Sequence, residues 1–269
     1  MNPKDLIRAG RLSEARDQLT TEVKSSPSDV SKRVLLFQVL SFYGEWDKAE
    51  RHLDVIVSRD SSSETGVQVY KDLINAERER REVLARKRVP GFLTGTPAYL
   101  ELYLAAWEKL MGKKVNEADA LYKQVVAQRP AISGTLNGNT FNGFRDTDTF
   151  LSAFLEAIVH DRYIWLPFES LRELSVSPPK TLFDLLWIQA RMVTWESLTI
   201  NCYLPVLYPD SFLHKDDRVK LGRMTDWVSL GGPFSRGMGQ HVFGIDGEEV
   251  AILEVRDVTF ELSAPMGKR

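Results

Sequence analysis

The chain has 269 residues, 43% of them hydrophobic and 27% charged, and 35 basic against 37 acidic residues leave a net charge of −2. This length and apolar content can build one large or two moderate cores, while the balanced charge supplies no field that would draw in nucleic acid or an anionic membrane surface. Cys202 is the sole cysteine, which excludes an internal disulfide framework and a multi-cysteine zinc site; a charged N-terminus and the lack of a long uncharged span predict a cytoplasmic protein without signal peptide or membrane span.

From about Asp5 to Pro130 the pattern is helical. Gly10-Arg-Leu-Ser-Glu-Ala15 and Gly44-Glu-Trp-Asp-Lys-Ala49 are offset by 34 residues, the period of a tetratricopeptide hairpin. In each copy a glycine suits the left-handed cap that ends one helix, and a small alanine five residues on lets the next helix pack closely. Leu19 and Leu53 keep the register, and a degraded third copy is expected at Gly112, Ala118 and Leu121. Leu35, Leu36, Val39, Leu40 and Tyr43 form a core-facing stripe. The mixed-charge run Glu77-Arg-Glu-Arg-Arg-Glu82 reads as a solvated helix face held by ion pairs. Pro90-Gly91 through Pro97 interrupts the helices, and Tyr99 to Leu110 starts a last hairpin.

Ala131 to Thr147 is rich in glycine and asparagine with little apolar periodicity, and is read as a linker. Beyond it, Phe150, Phe154 and Ile158 predict an amphipathic helix over 149–159. Tyr163 to Leu166, Leu185 to Trp195, Leu198 to Leu204, His241 to Ile245, Glu249 to Val255 and Val258 to Leu262 read as strands. Asp246-Gly247 is a two-residue hairpin turn, because both positions favour positive φ. The expected architecture is α+β in two domains: a tetratricopeptide-like helical domain over 1–130, a linker over 131–147, and a mainly antiparallel β domain with a few helices over 148–269.

Catalytic chemistry finds little support. The four histidines have no partner at metal-ligand spacing, no Gly-x-Ser-x-Gly elbow is present, and Gly237-Met-Gly239-Gln-His-Val242 lacks the third glycine of a dinucleotide fingerprint. No cofactor or metal is expected. Asp146 and Asp148 read as caps of the predicted helix in preference to an acid–base pair, and Cys202 as a small core hydrophobe. Arg145, Tyr163, Trp165, Trp187, Arg223, Trp227 and Gln240 have two readings: core packing, or a peptide-docking surface, since Trp, Tyr and Arg anchor interfaces. Under the second, the partner-binding candidates are Arg145, Tyr163, Trp165, Arg223, Trp227 and Gln240.

The order of segments resembles the ImpE family, also called TagJ or SciE, accessory proteins encoded with bacterial type VI secretion systems. The resemblance rests on the two Gly-to-Ala segments, Phe144-Arg-Asp-Thr-Asp148, Arg162-Tyr-Ile-Trp-Leu-Pro-Phe168, Leu221-Gly-Arg-Met-Thr-Asp-Trp227 and Gly239-Gln240. It implies a non-enzymatic cytoplasmic adaptor. It also implies partners: an N-terminal helix of the small sheath subunit TssB, and the ClpV unfoldase that recycles contracted sheath. Two rival readings stand beside it, a hydrolase-like enzyme using Asp146, Asp148 and Arg223, and a self-assembling scaffold.

Overall fold

Apolar residues at helical spacing fold the first half of the chain into α1 (Pro3–Arg8), α2 (Leu12–Ser25), α3 (Val30–Phe42), α4 (Trp46–Arg59), α5 (Glu64–Leu84), α6 (Leu100–Met111) and α7 (Val115–Gln128). The computed structural model describes residues 1–59 and 61–263. Three turns, α1–α2, α3–α4 and α6–α7, close the same way. Gly10 and Gly44 are left-handed, with φ of 79° and 63°. The amide of each reaches back three residues, and the following amide five, to satisfy the last carbonyls of the preceding helix. In the third turn the left-handed residue is Lys113 at φ 58°, while Gly112 has φ −79°. The left-handed residue of the third turn thus falls one position after the expected Gly112, and Lys113 precedes the fully buried Ala118 as Gly10 and Gly44 precede Ala15 and Ala49.

The second half forms strands β1 (Ala131–Leu136), β2 (Asn139–Asn142), β3 (Phe144–Asp146), β4 (Phe154–Val159), β5 (Arg162–Pro167), β6 (Leu171–Val176), β7 (Trp187–Thr194), β8 (Thr199–Pro205), β9 (Thr225–Gly231), β10 (Phe234–Gly239), β11 (Val242–Ile245), β12 (Glu248–Ala251) and β13 (Asp257–Ser263), with a short helix α8 (Asp217–Lys220). Eight strands make one antiparallel sheet in the order β2-β1-β13-β6-β7-β8-β4-β5. A second sheet runs β12-β11-β3, and β9 and β10 form a separate ribbon. The Asp246-Gly247 turn has φ of 50° and 85°, as its residues require. The loop before α6 bonds Gly91 O to Trp165 N at 2.9 Å, shielding the β5 edge.

Two expectations are corrected. Residues 131–147 are strands: β1 pairs with β13 and β2, and β3 with β11, so glycine and asparagine there serve turns and close strand contacts. The predicted helix at 149–159 is a turn followed by β4. Phe154, Leu155, Glu156, Ala157 and Ile158 are all buried, and a strand enclosed on both faces shows no alternation to set against a helical reading. The sequence pattern also predicts no strands where β6, β9 and β10 form.

Helices and sheet share one core. Trp107 of α6 lies parallel to Trp165 of β5 at 6.0 Å, Tyr103 meets Phe154 edge-on at 5.0 Å, and Trp46 of α4 contacts Trp187 of β7 at 5.8 Å. A strap from the second half, residues 210–223, also holds the helical turns. Phe212 lies against Gly44 so closely that a Cβ there would stand 2.9 Å from its ring. Asp217 accepts from the Ser13 amide at 2.7 Å and from its hydroxyl, supplying from 204 positions away the cap that Arg11 does not provide to α2. Asp217→Ala is expected to cost about 1 kcal/mol, read as a lower urea midpoint with an unchanged slope; an unchanged midpoint would show the cap to be solvent-replaceable.

Candidate functional site

Where α5 crosses the sheet, the structure buries charge. Helical spacing carries Glu77 and Arg80 to the inner face with Leu73, Ile74, Ala76 and Val83, and Arg80 meets Glu156 at the centre of β4. The guanidinium donates through Nε to Glu156 Oε1 at 2.8 Å and through Nη2 to Oε2 at 2.5 Å, a two-pronged pair. Its Nη2 also donates to the Leu207 carbonyl at 2.9 Å. Glu77, 3.4 Å from Arg80, accepts from Trp187 Nε1 at 2.9 Å. Beside Arg80, with its Nε2 3.5 Å from the arginine Nη2, stands His241, whose Nε2 is 3.0 Å from the same Oε2 and whose Nδ1 is 2.8 Å from Asp146 Oδ2. Tyr208 donates to Asp146 Oδ1 at 2.7 Å, and Tyr163 donates to Glu156 while accepting from Trp165 Nε1 at 2.6 Å.

A protonated His241 together with Arg80 offsets the charges of Glu156 and Asp146, and Glu77 adds a further carboxylate against Arg80. Burial pulls the His241 pKa down, but Asp146 and Glu156 outweigh it and raise the pKa from 6.5 to about 9. Burial likewise disfavours the Glu156 carboxylate, yet Arg80 and His241 hold it far below the usual carboxylate range. Because the folded pKa of His241 lies above its unfolded value, its stabilisation is complete below about pH 6.5 and is lost as pH rises through 9. Stability is expected to fall by on the order of 3 kcal/mol between pH 6 and pH 9.5. Denaturation midpoints of wild type and His241→Gln across that range test this: the variant should lack the slope, and matching slopes would assign it to other groups.

This cluster is closed. The cavity beside Arg80, bounded by Glu77, Trp46, Tyr208 and Phe212, measures about 40 Å³, room for water and not for an organic substrate. Asp146 and Asp148 cap no helix. Asp146 serves Tyr208, His241 and the Asp148 amide; Asp148 accepts from Phe150 N, Gly237 N and Arg236 Nε. Cys202 opens toward a larger cavity of about 540 Å³ over β7 and β8, but burial pushes its thiol up to about 12, so at neutral pH it is not the thiolate a nucleophile requires.

The residues singled out by composition are scattered. Tyr163 and Trp165 are fully enclosed, which places them in the core and not on a contact surface. Trp227 is half-buried, edge-on to Tyr208 at 5.7 Å. Gln240 bridges Gly222 O and Leu253 N. Arg223 is exposed and caps α1 by donating to Ile7 O at 2.8 Å and Arg8 O at 2.7 Å. Arg145 is exposed beside a cavity between α7 and the smaller sheet. The sequence reading missed Arg80, Glu77 and Glu156 because a buried charge pair has the same letters as a solvated one.

The sequence matches the family profile described as ImpE protein over residues 138–259. Over 261 residues it is 35% identical to the type VI secretion system accessory component TagJ of Pseudomonas aeruginosa, covering 97% of this chain and 92% of that protein. The fold is similar to the crystal structure of a protein from Vibrio parahaemolyticus, with a TM-score of 0.86, 19% identity, and coverage of 96% of this chain and 97% of the other.

Proposed function

The chain belongs to the ImpE family, and on that premise we propose that it is a cytoplasmic, non-enzymatic adaptor of a type VI secretion system that binds the N-terminal helix of the small sheath subunit TssB and assists ClpV-linked handling of sheath. The observation that carries this reading is the 35% identity to an accessory component of such a system across nearly the whole chain. The geometry supports it: the ionisable groups that converge do so in a sealed cluster whose bonds are already made, while hairpins closed by equivalent turns, which we read as tetratricopeptide-like, are suited to presenting surface to a partner helix. Asp146 and Asp148, which the hydrolase alternative would use, are fully buried and hydrogen-bonded within the fold. The test is capture of purified small sheath subunit by the immobilised protein, with and without its N-terminal helix. Full-length subunit retained and the truncated form lost is the expected result; equal recovery of both would sink helix docking.

A further inference from the structure

In a chain with net charge −2, one concave surface is wholly basic. A groove of about 620 Å³ runs between α1, α3 and the loop before β7, and Lys4, Arg8, Lys180 and Arg223 line it with no acidic residue among the lining side chains. All four cations are exposed. Among the described residues, the ammonium groups of Lys4 and Lys180 have no carboxylate within ion-pair distance, and Arg8 has only a 3.6 Å contact with Asp5 at 81% side-chain exposure, a pairing worth little. The nearby Asp184 is turned into its own loop, where it accepts from the amides of Lys180 and Thr181 at 2.8 and 2.7 Å. The floor is aliphatic: Ile7, Leu35, Leu182 and Leu185. An adjoining depression of about 320 Å³ toward α2 shares Lys4, Arg8 and Leu35 but is also lined by Asp5 and Glu22, so the acid-free lining is confined to the larger groove.

We propose that this groove receives an amphipathic helix with an acidic polar face. Aliphatic residues at i, i+3/i+4 and i+7 would lie on the Leu35–Leu182 floor, and Asp or Glu along both flanks would meet Lys4, Arg8, Lys180 and Arg223. A helix is favoured over an extended strand because the walls offer no sheet edge: Arg223 occupies the terminal carbonyls of α1, and Asp184 occupies the loop amides. A helix brings its own backbone bonds and needs only side-chain contact. Nucleic acid is disfavoured because the lining includes no aromatic ring on which a base could stack.

Assigning this groove to the sheath helix rests on the adaptor reading above, so the test uses a probe independent of it. The probe is a fluorescent synthetic helix with leucine on one face and glutamate on the other, compared with a scrambled peptide of equal composition and with a leucine/lysine counterpart. Binding to the full chain is measured by anisotropy for wild type, Lys4→Glu/Lys180→Glu, and Leu182→Ser. The double reversal changes two side chains that make no hydrogen bond or ion pair among the described residues, and it is expected to weaken the acidic probe by at least roughly tenfold, with unchanged circular dichroism and melting. Leu182→Ser should weaken it independently of salt. That result upholds the groove even where sheath capture fails, which would overturn only the function above. Equal binding by wild type and double reversal, equal affinity for the scrambled or lysine peptide, or preference for phosphatidylglycerol vesicles over the probe would overturn the groove even where sheath capture succeeds.

Discussion

Arg80→Met is expected to remove roughly 3–5 kcal/mol of unfolding free energy, because deleting one member of a buried pair leaves the other as an uncompensated charge in a low-dielectric interior. Glu156, 3% exposed, would keep only His241 as a cation, with Asp146 and Glu77 nearby, and the Leu207 carbonyl would lose its donor. Arg80→Met combined with Glu156→Gln should cost clearly less than the two single changes added together, since the charge imbalance is then relieved. Urea midpoints of the three variants measure this. A loss below about 1 kcal/mol for Arg80→Met would mean that water reaches the cluster and screens it.

Trp165→Ala is expected to cost roughly 3–5 kcal/mol through the cavity it opens, lowering the melting temperature by on the order of 10 °C. The ring is fully enclosed, parallel to Trp107 and 4.7 Å from Phe154, and its Nε1 donates to Tyr163, which in turn donates to Glu156. One substitution therefore strikes the aromatic stack joining α6 to the sheet and the support of the charged cluster together. Trp227→Ala, on a half-buried ring, should cost much less. Near-uv circular dichroism and melting of both variants decide the matter; unchanged melting of Trp165→Ala with lost partner binding would return that ring to a recognition role.

Much of the architecture is legible in the letters because local chemistry dictates it. Gly10 and Gly44 adopt the left-handed caps that a residue without Cβ favours, and Asp246-Gly247 makes the turn its φ preferences demand. The half-exposed strand β13 alternates visibly. Where the reading failed, burial had erased the pattern. β4, enclosed on both faces, presents Phe154 and Ile158 at a spacing that also suits a helix. In the run from Glu77 to Glu82, Arg78 faces Asp47 and Glu50 on the outer side while Glu77, Glu79 and Arg80 turn inward, and no local rule distinguishes those neighbours.

Composition likewise selected residues whose surroundings it could not see. Trp165 and Tyr163 have the chemistry of interface anchors and lie in the core, whereas Arg223 lies in the basic groove as an α1 cap because the strap from residues 210–223 brings it there. Local backbone preference, periodicity and segment order are enough to specify the helical hairpins, their turns, the mainly antiparallel second half and the family. The folded chain alone reveals that helices and sheet share one core, that Arg80 and Glu156 meet across 76 residues, and that Lys4, Arg8, Lys180 and Arg223 line one groove. Those juxtapositions depend on which apolar faces are buried together, and long-range packing leaves no mark in local spacing.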